Sequence, residues 1–206
     1  MTVVRLLIVL AFAVATTVSA AHAGSASTAL DPSRDTSRTS LRLYAPFDGG
    51  SVAPGIRIAR SARGYCWTSS IGDERSDAYR CFVGNVIHDP CFANSLGSSA
   101  FVLCPLYYPG SRVLRIHLTK PLPQNPAVSD PTRSLPWVVQ LANDRWCGRI
   151  QGASGLIAGL PLTYGCSPKG VLIGFPHRTA PLWTIFFANG FQSTQYVAEP
   201  IKAAWW

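Results

Sequence analysis

Apolar and polar positions alternate in short runs along most of this chain, and glycine or proline separates the runs. Ile56-Arg57-Ile58-Ala59 alternates, and so does Val113-Leu114-Arg115-Ile116-His117-Leu118 after its opening pair. Residues 100–104 (AFVLC), 137–141 (WVVQL), 171–173 (VLI) and 182–187 (LWTIFF) are brief runs rich in β-branched and aromatic side chains. Such runs fit a pleated, half-buried surface and predict strands. Gly49-Gly50, Pro54-Gly55, Pro109-Gly110, Pro168-Lys169-Gly170 and Asn189-Gly190 stand between them as turn signals. No segment sustains a helical period. Residues 152–160 are apolar, but three glycines there predict a loop or a glycine-bent strand. The pattern predicts an all-β protein, a sandwich or barrel-like domain or else two small β lobes.

The start of the chain departs from this pattern. Arg5 precedes an apolar run over residues 6–14, and Ala21-His22-Ala23 supplies small residues around a cleavage point. That order predicts a secretory signal peptide over 1–23. Residues 24–41 are rich in Ser, Thr, Asp and Arg and poor in large apolar groups, which predicts a disordered leader. Residues 42–118 form an N-terminal β region with four cysteines, and 137–206 a C-terminal β region with two. Between them, residues 119–136 hold five prolines and read as a connector or as one long ordered loop. No later run approaches the roughly 18 apolar residues of a membrane helix, so the expectation is a secreted or extracytoplasmic chain without a transmembrane span.

In an oxidising compartment the six cysteines become a disulfide framework with no thiol left over. Six allow 15 connectivities. The nearest-neighbour scheme pairs Cys66 with Cys81, Cys91 with Cys104 and Cys147 with Cys166. Each short loop would contribute about 3 kcal/mol through lost unfolded-state entropy. An aromatic precedes Cys66 and Cys147, and another stands two residues before Cys81 and Cys166. This echo fits strands stapled side by side in each half.

Charge narrows the partners. Fifteen arginines and three lysines against ten acidic residues give a formal charge of +8. A basic secreted protein meets anionic envelope polymers first. The arginines (57, 60, 63, 75, 80, 112, 115, 145, 149, 178) look scattered, with no run of like charge, and this argues against nucleic acid. The chain closes on Trp205-Trp206, either a docked final strand or an exposed aromatic platform. With Trp183 and Arg178 these rings are the candidate binding residues.

Catalytic patterns are incomplete. His88, Asp89, Asp130 and Ser154 follow the order of a serine protease, but Gly152-Ala153-Ser154-Gly155-Leu156 lacks the Asp and the last Gly of the Gly-Asp-Ser-Gly-Gly turn. Tyr164-Gly165-Cys166-Ser167 has the Gly-Cys step of cell-wall transpeptidases without the arginine that follows it. Asp73, Glu74 and Asp77 read as a solvated hairpin loop rather than as paired glycosidase carboxylates. Asp89-Pro90 reads as a turn whose carboxylate caps backbone N–H groups. His88, His117 and His177 lack metal-ligand spacing, and no metal or other cofactor is expected.

The stretches Gly64-Tyr65-Cys66-Trp67, Asp77-Ala78-Tyr79-Arg80-Cys81, Ile87-His88-Asp89-Pro90-Cys91-Phe92, Leu162-Thr163-Tyr164-Gly165-Cys166 and Leu182-Trp183-Thr184-Ile185, with Gly174, resemble those of uncharacterised secreted six-cysteine proteins of actinobacteria. The resemblance spans most of residues 50–206. It implies an extracytoplasmic compartment and carries no known activity. Tyr164-Gly165-Cys166 with the basic-glycine turn after it is also similar to a strand of secreted β-barrel lysozyme inhibitors. The expected function is a secreted binding protein for an anionic cell-wall glycopolymer or an extracellular protein. The alternatives are an envelope-directed hydrolase and a structural envelope component.

Overall fold

A computed structural model describes residues 37–96, 100–127, 133–152 and 155–206; the expected signal peptide lies outside the described residues. The chain is all-β: β1 (Ser40–Arg42), β2 (Phe47–Asp48), β3 (Ser51–Val52), β4 (Arg57–Ser69), β5 (Ala78–Val83), β6 (Val86–Ala93), β7 (Phe101–Pro105), β8 (Arg112–Leu118), β9 (Val138–Leu141), β10 (Trp146–Arg149), β11 (Leu156–Ile157), β12 (Leu160–Ser167), β13 (Val171–His177), β14 (Thr184–Ala188) and β15 (Val197–Trp205).

Strands β4 to β8 pair antiparallel in sequence order and close into a barrel when β8 returns parallel to β4. Its interior holds Cys66, Tyr79, Cys81, Cys91, Val102, Cys104, Leu114 and Ile116. Closure depends on Gly64, which faces Leu118 across the parallel pair. A Cβ at residue 64 would lie 2.1 Å from the Phe82 carbonyl oxygen and 2.9 Å from Ile116 Cγ2. Only a residue without a side chain lets the two backbones come this close.

The second half pairs β9, β10, β12, β13, β14 and β15 antiparallel, and β15 returns to β9. Val139, Leu141, Cys147, Tyr164, Leu172, Ile185, Ile201 and Trp206 fill the inside. Neighbours Val171 and Ile173 pack into a separate cluster with Ile157 and Leu162, so β13 is buried on both faces. This explains why 171–173 is continuously apolar rather than alternating. A third cluster, Tyr44, Ala78, Phe92, Trp137, Val138, Ala203 and Trp205, joins residues of both barrels.

The disulfides are Cys66–Cys81, Cys91–Cys104 and Cys147–Cys166. The first and third link directly opposed residues of adjacent strands. Among the described residues no helix is long and apolar enough to cross a membrane.

Order begins earlier than the composition of 24–41 predicts. Ser40–Arg42 form β1, parallel to Ala203–Trp205. The buried Thr39 hydroxyl donates to the Ile201 carbonyl (2.7 Å) and accepts the Trp183 N–H (2.8 Å). A pairing with the far end of the chain leaves no mark on local hydropathy. In the connector, residues 119–127 form no strand, yet Asn125 donates to the carbonyls of Arg75 and Ala78.

Candidate functional site

The parallel β4–β8 pair builds a surface that neither strand has alone. Arg57 stands opposite Arg112, Ser61 opposite Arg115 and Arg63 opposite His117, while Arg60 follows a register shift at 58–60. Directly opposed residues share a face. Arg57, Arg60, Arg63 and Arg112 are exposed, and none of them has a carboxylate partner among the described residues. Arg115 is half-buried over the Phe101 ring (4.8 Å), and its buried Nε makes no hydrogen bond. His88 lies within the field of Arg60; burial first and that charge second lower its pKa.

Successive residues alternate sides, so Ser61–Arg115 and Arg63–His117 lie on the outer face, whereas Arg57–Arg112 share the side of Leu114 and Ile116 and are exposed at the end of the strand pair. Beyond Arg63 the outer face turns aromatic. Tyr65 pairs with Phe82, and Phe82 pairs with Ile87. The Trp67 ring stacks on Phe82 at 4.2 Å. Lys120 Nζ sits 4.1 Å from the Tyr65 ring centre and the Arg80 guanidinium 5.5 Å from that of Trp67. At about 3.3 Å per residue, the outer face from Arg63 to Trp67 runs roughly 13 Å. Like charges placed opposite each other destabilise a sheet. Guanidinium groups without carboxylate partners among the described residues, at the strand-pair end and beside the aromatic rings, are therefore suited to an anionic partner with apolar faces.

Residues 57–63 and 112–115 lie far apart in sequence, and the parallel register brings them into pairs, Arg57–Arg112 on one side of the sheet and Arg63–His117 on the other. No local signal announces that register. The three-residue spacing of Arg57, Arg60 and Arg63 was the visible part.

The other predicted binding residues come together differently. Consecutive strand residues point to opposite sides. Trp205 therefore enters the inter-barrel cluster, 4.8 Å from Trp146, and Trp206 enters the core of the second barrel. They are 5% and 3% exposed, so they form no platform; the final strand is docked. Arg178 does meet Trp183, with 4.7 Å between guanidinium and ring centre, and it donates to the Ser134 carbonyl. They border a shallow hollow of about 530 Å³ with Arg38, Thr39 and Leu41. All six cysteines are tied in disulfides.

In the acidic segment between β4 and β5, Glu74 is exposed and Asp77 half-buried, but Asp73 is buried rather than solvated, a correction. Asp73 is 1% exposed, and burial raises its pKa to about 6 against the lowering pull of Arg75. One carboxylate oxygen accepts the Arg75 N–H; the other has no partner. Arg75 pairs with Asp77 and donates to the carbonyls of Tyr44 and Trp206. Asp89 accepts the Ser70 hydroxyl and the Ile71 N–H and lies 3.6 Å from Arg80 Nε, so its carboxylate does cap backbone. Burial raises its pKa as well. These groups fasten the 70–77 segment to the chain's C-terminal residue and the inter-barrel contact. Asp130 and Ser154 of the serine-protease pattern lie outside the described residues. Among the described residues no three His, Cys, Asp or Glu side chains converge as metal ligands.

A pH test follows from Asp73. Its raised pKa makes the folded state hold the proton more tightly than the unfolded state does. That stabilisation is complete below about pH 4 and is lost as pH rises through about 6. Asp73→Asn is expected to raise stability by about 1–3 kcal/mol at pH 7.5 and to have little effect at pH 4. Thermal denaturation at both pH values is the measurement; equal effects at both would refute the assignment.

Comparison with protein-family models, curated proteins and solved structures returns no match.

Proposed function

We propose that this protein is an extracytoplasmic binding protein whose first barrel takes an anionic cell-envelope glycopolymer along the β4–β8 seam. The observation that carries this reading is the register setting Arg57 against Arg112 and Arg63 against His117, with no carboxylate partner for these arginines among the described residues. Guanidinium forks bind phosphate or carboxylate oxygens in pairs. The aromatic end at Tyr65, Trp67 and Phe82 offers surface to sugar C–H faces. Three disulfides support an oxidising compartment.

Binding is expected to an isolated anionic wall polymer and not to the same polymer after its charges are masked. Affinity should fall with salt, by a log–log slope of about −0.7 for each charge engaged if a flexible anionic chain behaves as single-stranded nucleic acid does. Calorimetric titration across salt concentrations measures both. A nucleic acid offers the same phosphate chemistry. Equal or tighter binding of single-stranded DNA overturns the glycopolymer assignment, and salt-independent binding overturns the role of the seam.

A further inference from the structure

A second surface lies where the two barrels meet. The turn between β7 and β8 projects from the first barrel toward β10 and β12. Leu106, Tyr107 and Tyr108 on that turn, with Trp146 and Ser167 across from it, enclose a cleft of about 350 Å³, within the range of small-molecule sites. Its rings are held in place by the fold. Tyr108 packs edge-on to Trp137 at 5.7 Å and lies against Gly148, where a Cβ would come within 2.6 Å of Tyr108 Cζ. Trp146 leans on Trp205. The turn is closed by the Gly110 N–H donating to the Tyr107 carbonyl (2.6 Å), and the Tyr44 hydroxyl donates to the Gly110 carbonyl (3.2 Å). Tyr107 and Tyr108 nevertheless remain 67% and 48% exposed.

The lining is mainly apolar and aromatic, and the Tyr107, Tyr108 and Ser167 hydroxyls and the Trp146 indole N–H of its residues bond no other described residue. An acyl chain needs burial on all sides, and a cleft whose Tyr107 and Tyr108 stay open to solvent does not supply it. An anion would find no cation in the lining. A pyranose ring has C–H faces for aromatic contact and a rim of hydroxyls for the polar atoms.

The cleft is also continuous with the arginine seam. The Leu106 N–H donates to the Arg112 carbonyl (3.1 Å), and the Arg57 N–H donates to the Ser111 carbonyl (2.6 Å). The aromatic turn therefore ends where the Arg57–Arg112 pair begins.

We infer that the inter-barrel cleft of Tyr107, Tyr108 and Trp146 binds an uncharged pyranose unit of the polymer whose charged part lies on the seam. The inference rests on the glycopolymer reading and extends it to a sugar-specific subsite. The probes are the neutral tetrasaccharides of N-acetylglucosamine, cellulose and maltose, titrated up to about 10 mM at about 0.5 M NaCl, where charge attraction is largely screened. One of them is expected to bind, with the same affinity at low salt. Tyr107→Ala, at an exposed position that should not disturb folding, is expected to weaken that binding at least tenfold, and Tyr107→Trp to retain it. Arg57→Gln with Arg112→Gln is expected to leave neutral-sugar binding unchanged while weakening the anionic polymer. Absence of binding by all three probes, or binding indifferent to Tyr107→Ala, overturns the cleft. Sugar binding that persists while the arginine variant leaves polymer affinity untouched overturns the seam instead.

Discussion

Replacing Arg57, Arg63 and Arg112 together by glutamine is expected to weaken anionic-glycopolymer binding roughly 100-fold at about 0.05 M salt and to flatten the salt slope by about 2. Each glutamine keeps the first methylenes and a polar end but removes the charged guanidinium, so a salt-dependent loss reports electrostatics. The same variant is expected to be as stable as the parent, or more stable by up to about 1 kcal/mol. Arg57 and Arg112 stand directly opposite with nothing to neutralise them, and removing like charges from opposed positions relieves repulsion. That opposite sign distinguishes a binding seam from a structural one. Arginines that served the fold would lose stability and affinity together. Melting temperature and calorimetric affinity on the same samples decide it, and a drop of several degrees with unchanged affinity would remove the seam as the docking surface.

Gly64→Ala is expected to be the most damaging single-methyl addition in the first barrel, costing about 3 kcal/mol or more. Two ångströms from a backbone oxygen, the new carbon cannot be accommodated by a side-chain rotation. Either the β4–β5 pair or the closing β4–β8 pair has to open. Gly190→Ala, with nothing within 4 Å, is the control and is expected to stay within about 0.5 kcal/mol of the parent. Chemical denaturation of both variants gives the difference. Equal stabilities would mean that the barrel is not closed as described.

Local strand patterns were readable and non-local ones were not. The alternation at 113–118 and the runs at 100–104, 137–141 and 182–187 became β8, β7, β9 and β14, because each face's burial is written into neighbouring residues. The nearest-neighbour cysteine pairs formed because hairpin-adjacent strands bring them together. By contrast, β4, β6, β12, β13 and β15 run through glycine or proline that reads locally as punctuation. Pro90 is tolerated in β6 because Asp89 and Pro90 together face the single residue Arg80, at an irregularity where a ladder N–H is not required. The candidate site was least visible for the same reason. Arg57 and Arg112 become neighbours only through a parallel pairing across more than fifty residues of intervening chain. Likewise, Asp73 looked like a solvent-facing acid because nothing beside it in sequence reveals that Trp206 and Tyr44 close over its segment.

The role of β15 has a consequence for biogenesis. All strands of the first barrel lie between Arg57 and Leu118, so that barrel can complete its hydrogen bonding as soon as this stretch has been synthesised and released. The second barrel cannot. Its opening strand β9 and its penultimate strand β14 both wait for β15, whose last paired residue is Trp205, and β1 waits for it as well. In a chain delivered N-terminus first, β9 therefore presents an unpaired edge until nearly the final residue arrives. Long-range strand pairing is slow, and an open edge invites pairing with other chains. The second barrel is thus the half whose strand edge stays open longest during synthesis, and the half from which aggregation would start.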